Sequence, residues 1–152
     1  MNKVKVAKGL ALLYTSMIFL AIAWGGYVRA MGAGLGCGPD WPLCNGYIVP
    51  PNLFTDLDVF LEYFHRIIAF TTGLIALTAT VYIIKEFRDN KKMVLTLALT
   101  DALLLIQIFI GMLVVNQYLN QILSATHLAT ATLTFGASIL MATTAMGLRE
   151  RL

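Results

Sequence analysis

Charge is what this sequence has least of. Charged residues make up 12% of its 152 positions, against roughly 25% in an ordinary soluble domain. Hydrophobic residues make up 59%, and mean hydropathy is +0.78. That balance excludes a soluble globular domain and leaves a membrane protein of one small domain. No Walker, dinucleotide-fold or zinc-finger spacing occurs, which removes the usual nucleotide and structural-zinc readings. A net charge of +3 and a pI near 9.0 would suit a nucleic-acid partner. The basic residues, however, flank apolar runs, so they read as orientation signals and no nucleic acid is expected. Histidine occurs twice, at His65 and His127, and cysteine twice, at Cys37 and Cys44.

Long apolar runs are what the chain has instead. They cover about 9–31, 60–84, 93–115 and 122–148, each enough to cross a hydrocarbon core of about 30 Å as a helix. The first run has a rival reading as a signal peptide, because Ala21-Ile22-Ala23 resembles a small-residue cleavage site. Its apolar character continues through Trp24 to Ala30, further than a signal core needs. Residues 32–59 are rich in glycine and proline and cannot sustain a regular helix. Asp56 and Asp58 precede the second run, where acidic groups suit a helix N-terminus. Residues 85–92 form a charged turn and 116–121 an uncharged polar one.

Lysine and arginine set the orientation. Three lie at the N-terminus, four in the 85–92 turn and two at the C-terminus, against Arg29 and Arg66 on the other side. The positive-inside rule puts both termini and the 85–92 turn in the cytoplasm. The 32–59 loop, the cysteines and both histidines then lie on the extracytoplasmic side. The expected fold is all-α: an up-down four-helix transmembrane bundle with short connections. It forms a single transmembrane domain over residues 1–152, multi-pass in the cell membrane.

Glu62-Tyr63-Phe64-His65-Arg66 opens the second run. Ionisable groups at membrane depth are costly and point to function. His127 opens the fourth run on the same side, so the two imidazoles sit at matched depth. Ala69, Thr72, Ala76 and Ala79 follow His65 at helical spacing, and Ala131, Thr134, Ser138 and Ala145 follow His127. Such small residues let helices approach closely or leave a slot for a flat porphyrin. Histidine is a frequent axial ligand of haem iron, so a haem held by His65 and His127 is the sharper reading. The plainer one is two interfacial histidines bonded to water or backbone. Arg29 and Arg66 suit the propionates of a haem. Equally, they suit lipid phosphate, or pairing with Glu62, Asp56 or Asp58. Cys37 and Cys44, in an oxidising compartment, suit a disulfide, either a structural staple or a redox pair. Asp101 and Gln107 read as helix–helix hydrogen-bonding groups. Trp41 and Tyr47 read as an interfacial aromatic belt.

Three stretches together resemble the haem A synthase family. They are Gly26-Tyr27-Val28-Arg29, the run Gly34-Leu35-Gly36-Cys37-Gly38-Pro39-Asp40-Trp41-Pro42-Leu43-Cys44-Asn45-Gly46, and Glu62-Tyr63-Phe64-His65-Arg66. The likeness is close over the first two spans and their loop. Further on, it rests mainly on His127 and its Thr/Ala-rich surroundings. It implies a membrane oxidoreductase that converts a ring methyl of haem O into a formyl group, giving haem A for terminal oxidases. It also implies haem B as cofactor, His65 and His127 as iron ligands, Glu62 as the carboxylate beside the reacting methyl, and Cys37 with Cys44 as the family's loop pair. A haem O synthase and a terminal oxidase become expected partners. Family members commonly join two four-helix halves, whereas this chain matches one, so self-association into a homo-oligomer is expected. Two other functions use some of the same residues. A bis-histidine cytochrome b would need neither Glu62 nor the cysteine loop. A four-helix thiol–disulfide oxidoreductase would normally carry a second cysteine pair.

Overall fold

The computed structural model describes residues 2–149; of the C-terminal charges, Glu150 and Arg151 lie outside them. Four helices follow in order: α1 Lys3–Ala30, α2 Leu57–Phe87, α3 Lys91–Asn116 and α4 Gln121–Met146. All four are long and apolar enough to cross a membrane, and no strand is formed among the described residues. Each helix starts at an Asn or Asp whose side chain accepts hydrogen bonds from the first-turn N–H groups: Asn2, Asp56, Asn90 and Asn120. Those caps satisfy donors that would otherwise stay unpaired. They explain why α1 begins at Lys3 rather than Gly9, and α2 at Leu57 rather than Phe60. The apolar run marks the lipid-facing stretch, and the cap marks the helix.

The connections are short except for the one after α1. Tyr82 donates from its hydroxyl to the Lys3 carbonyl, and the Lys3 ammonium pairs with Glu86. Leu148 packs with Val4 and Ala7. Both ends of the described chain therefore meet the region of the 88–90 turn at one end of an antiparallel bundle, which we label inner whatever its side of a membrane. The long loop, the 117–120 turn and both histidines occupy the outer end. In the ring of helices, α1 packs on α2 and α4, and α3 on α4, while α2 and α3 touch sparingly. The diagonal pair α2 and α4 make no close backbone approach.

The core sits in the inner half. Ala11, Tyr14, Ile18, Ala76, Ala79, Ile83, Met93, Leu97, Met141 and Ala145 pack there from all four helices. A polar knot lies within it: Asp101 of α3 accepts from the Tyr14 hydroxyl of α1 at 2.9 Å and the Thr80 hydroxyl of α2 at 2.6 Å. Thr15 of α1 donates to the Ser138 carbonyl of α4 at 3.0 Å. Such interhelical bonds average about 0.6 kcal/mol in a membrane, and they fix which faces meet. Asp101 thus makes the helix–helix bonds expected of it. The small-residue stripes are buried as their spacing predicts, with Ala69 partly exposed. Ala76, Ala79 and Ala145, however, are filled by neighbouring core side chains. Toward the outer end the packing thins: α3 beyond Thr100 and α4 before Ala131 contribute no buried residue.

Candidate functional site

The loosely packed outer half holds the two histidines on the diagonal helices. Each ring rests on a glycine of the neighbouring packed helix. A Cβ placed on Gly25 of α1 would lie 2.7 Å from His65 Cε1, and one on Gly111 of α3 would lie 2.9 Å from His127 Cε1. Any side chain at either position would displace the imidazole. Gln107, one helical turn before Gly111, faces His127 with the amide Nε2 3.2 Å from the imidazole Nε2. The tautomer of the imidazole sets which of the two groups donates.

Buried polar atoms normally find partners. Among the described residues four buried side-chain atoms do not: His65 Nδ1, His127 Nδ1, Gln107 Oε1 and Ser124 Oγ. Gln107 contacts His127 directly, and Ser124 lies three residues before it, on the same face of α4. Unmet hydrogen-bonding capacity is thus concentrated where the core thins. No group of three or more His, Cys, Asp or Glu that could hold a bare metal ion occurs among the described residues. Two imidazoles instead suit iron that brings its own in-plane nitrogens. The glycine seats and unpartnered ring nitrogens fit a haem.

The loop over this end is tied to α2 by one ion pair. Glu62, buried, takes two N–H groups of Arg66 on Oε1, at 3.1 and 2.6 Å, and the Cys37 backbone N–H on Oε2 at 2.9 Å. Arg66 donates further to the carbonyls of Asp40 at 2.8 Å, Leu43 at 2.7 Å and Gly38 at 3.4 Å. Cys37 and Cys44 form a disulfide with S–S 2.02 Å and Cα–Cα 4.3 Å, and both residues are buried. At Gly36 a Cβ would fall 2.2 Å from the Asp58 carbonyl oxygen, so only glycine lets the loop lie this close to the start of α2. Trp24 donates to the Leu61 carbonyl at 2.9 Å and fixes α1 against α2 above His65. Trp41 and Tyr47 are exposed on the loop.

The two arginines therefore differ. Arg66 is engaged by Glu62 and the loop carbonyls. Arg29 is exposed in the last turn of α1 and forms no ion pair among the described residues. Gly25 and Ser124 escaped sequence reading, and Gly111, which reads as a small residue for contact between copies, lies against His127. Ser124 carried a signal, its three-residue offset from His127; Gly25 carried none without knowing which helices touch.

Fold and site define a class: a multi-pass helical membrane protein whose paired imidazoles lie beneath a disulfide-closed loop. The model of the COX15-CtaA family, cytochrome oxidase assembly proteins, matches residues 8–58 and 53–151, and the chain belongs to that family. It is 28% identical to a heme A synthase of Bacillus licheniformis over 90% of this chain and 44% of that protein. It is 31% identical to one of Exiguobacterium sibiricum over 84% of this chain and 42% of that protein. With the heme A synthase of Symbiobacterium thermophilum it shares 28% identity over 97% of this chain and 47% of the relative. The chain thus spans about half the length of the curated relatives it matches. No solved structure matches it.

Proposed function

We propose that this chain carries out haem A synthesis, oxidising a ring methyl of haem O to a formyl group. The observation that supports it most directly is the pair of glycine-seated imidazoles with unpartnered ring nitrogens, on the diagonal helices α2 and α4. His65 and His127 would hold the iron of haem B or of haem O. Bound iron would supply the electron-transfer chemistry. Arg29 would take a propionate, while Arg66 would hold the loop and orient Glu62. Turning a methyl into a formyl removes electrons and protons from one carbon and adds oxygen. A fixed carboxylate at Glu62 would accept a proton or stabilise developing positive charge.

The test is purification after expression beside a haem O synthase, followed by haem extraction and chromatography. Haem A is expected from the wild-type protein. His65→Ala and His127→Ala are each expected to lose haem or its low-spin spectrum. A wild-type protein that takes up no haem when supplied with it refutes the reading. Haem without haem A identifies an electron-transfer cytochrome b instead.

We further place the disulfide loop on the extracytoplasmic side, from the distribution of lysine and arginine. Ile48 reports on it, being 82% exposed at the loop surface. In intact cells, Ile48→Cys should be labelled by a membrane-impermeant thiol reagent. Labelling only after the cells are opened would reverse the topology.

Two copies side by side would bring two histidine pairs into one assembly. Symmetric self-association is the usual form of such assembly. Mass measurement in mild detergent should find a dimer or higher oligomer with the activity; an active species that is only monomeric argues against it.

A further inference from the structure

Resting on the haem reading above, we propose that Gln107 and Ser124 form a neutral polar subsite for the hydroxyl group that distinguishes haem O and haem A from haem B.

The subsite is defined by unmet chemistry. Gln107 Oε1 and Ser124 Oγ are buried and without hydrogen-bond partners, beside His127. One is a carbonyl acceptor and the other a hydroxyl that both donates and accepts. Together they suit a substituent that does the same, an alcohol. They do not suit a carboxylate. Between Lys92 and Arg149 the sequence contains no lysine or arginine, and its one acid, Asp101, is tied to Tyr14 and Thr80. The α3–α4 side of the site is therefore uncharged. The α1–α2 side carries Arg29 and Arg66.

This asymmetry orients a tetrapyrrole. Its propionates need cations and go toward α1 and α2, where Arg29 is exposed and free of ion pairs among the described residues. The opposite edge then meets the uncharged α3–α4 side. Haem O carries a hydroxyl on its isoprenoid side chain where haem B carries a plain vinyl. An alcohol there would give an orphaned atom a partner, while a vinyl group would leave both buried and unpaired. Leaving such atoms unpaired is how a binding site rejects an analogue that lacks a hydroxyl. The lipid-facing outer halves of α3 and α4 would leave an isoprenoid tail among apolar residues. Leu105, Phe109, Ile122 and Leu128 are exposed there.

The experiment titrates haem-free protein with haem O, haem A and haem B, following the Soret band. Ser124→Ala and Gln107→Leu are compared with wild type. Each variant is expected to weaken haem O and haem A by about 3- to 10-fold, the range of one neutral hydrogen bond. Binding of haem B is expected to stay unchanged in Ser124→Ala; Gln107→Leu, which removes the partner of His127, is expected to weaken haem O and haem A more than haem B. Ser124→Ala removes only an oxygen that forms no hydrogen bond to His127, so it stands if Gln107→Leu misfolds. Equal weakening of all three haems would show that the residues act through His127 or packing, and overturns the proposal. So does no change in any. A wild-type protein that binds none of the three overturns the haem reading itself, a result distinct from loss of selectivity.

Discussion

Glu62→Gln is expected to keep its haem and to lose haem O conversion by at least the roughly 100-fold typical of a general acid–base group. The amide has nearly the shape of the carboxylate, and its oxygen still accepts from Arg66. Arg66 also keeps its bonds to the carbonyls of Asp40, Leu43 and Gly38. Neither His65 nor His127 bonds to Glu62, so the imidazole seats on Gly25 and Gly111 are untouched. What disappears is a negative charge on a side chain 3% exposed and held from both oxygens, together with the acceptor of the Cys37 N–H. A group fixed on both oxygens has little room to reorganise during reaction, which is the arrangement that makes a charge effective in catalysis. The measurement is the ratio of haem A to haem O in extracts, beside total haem per protein. Near-normal haem A would return Glu62 to a purely structural role in the loop clip. Joint loss of haem and protein would assign it the same structural role.

Arg66→Leu is expected to destabilise the protein by about 3–5 kcal/mol, the cost of breaking a buried pair from one side. The pair is only 13% and 4% exposed at its two side chains. Removing the guanidinium strands Glu62 with one remaining partner, the Cys37 N–H. It also strips donors from three loop carbonyls at once. Arg66→Lys should recover only part of the loss, because a point ammonium cannot span Glu62 and the loop together. Unfolding of the detergent-solubilised proteins, monitored by circular dichroism against denaturant or heat, reads the effect. A loss below about 1 kcal/mol would put the pair with ordinary surface ion pairs. The loop's remaining attachments would then carry its docking.

The helices were legible because their signals are local. An apolar run of membrane length, an Asn or Asp before it and a Gly/Pro-rich break after α1 act over a few residues. The acidic start of α2 at Asp56 and Asp58 needed no distant partner. His65 and His127 stood out by rarity and matched depth, and their small-residue stripes followed from helical spacing alone. The disulfide was legible as a pair because only two cysteines exist.

Rotation and docking of the helices decided the rest. Asp101 could have met any neighbour; it meets Tyr14, 87 positions away, and Thr80, 21 away. Arg66 read equally well as a haem anchor or an ion-pair partner, and the fold engages it with Glu62 and the loop. Gln107 read as a generic interhelical bond, and its partner is His127. Gly25 and Gly111 become imidazole seats only once α1 lies on α2 and α3 on α4. Hydrophobicity is a sum over a segment, so the sequence by itself determined how many helices form and where. Which side chains meet depends on the angle at which each helix turns its face, and packing against the other three sets that angle.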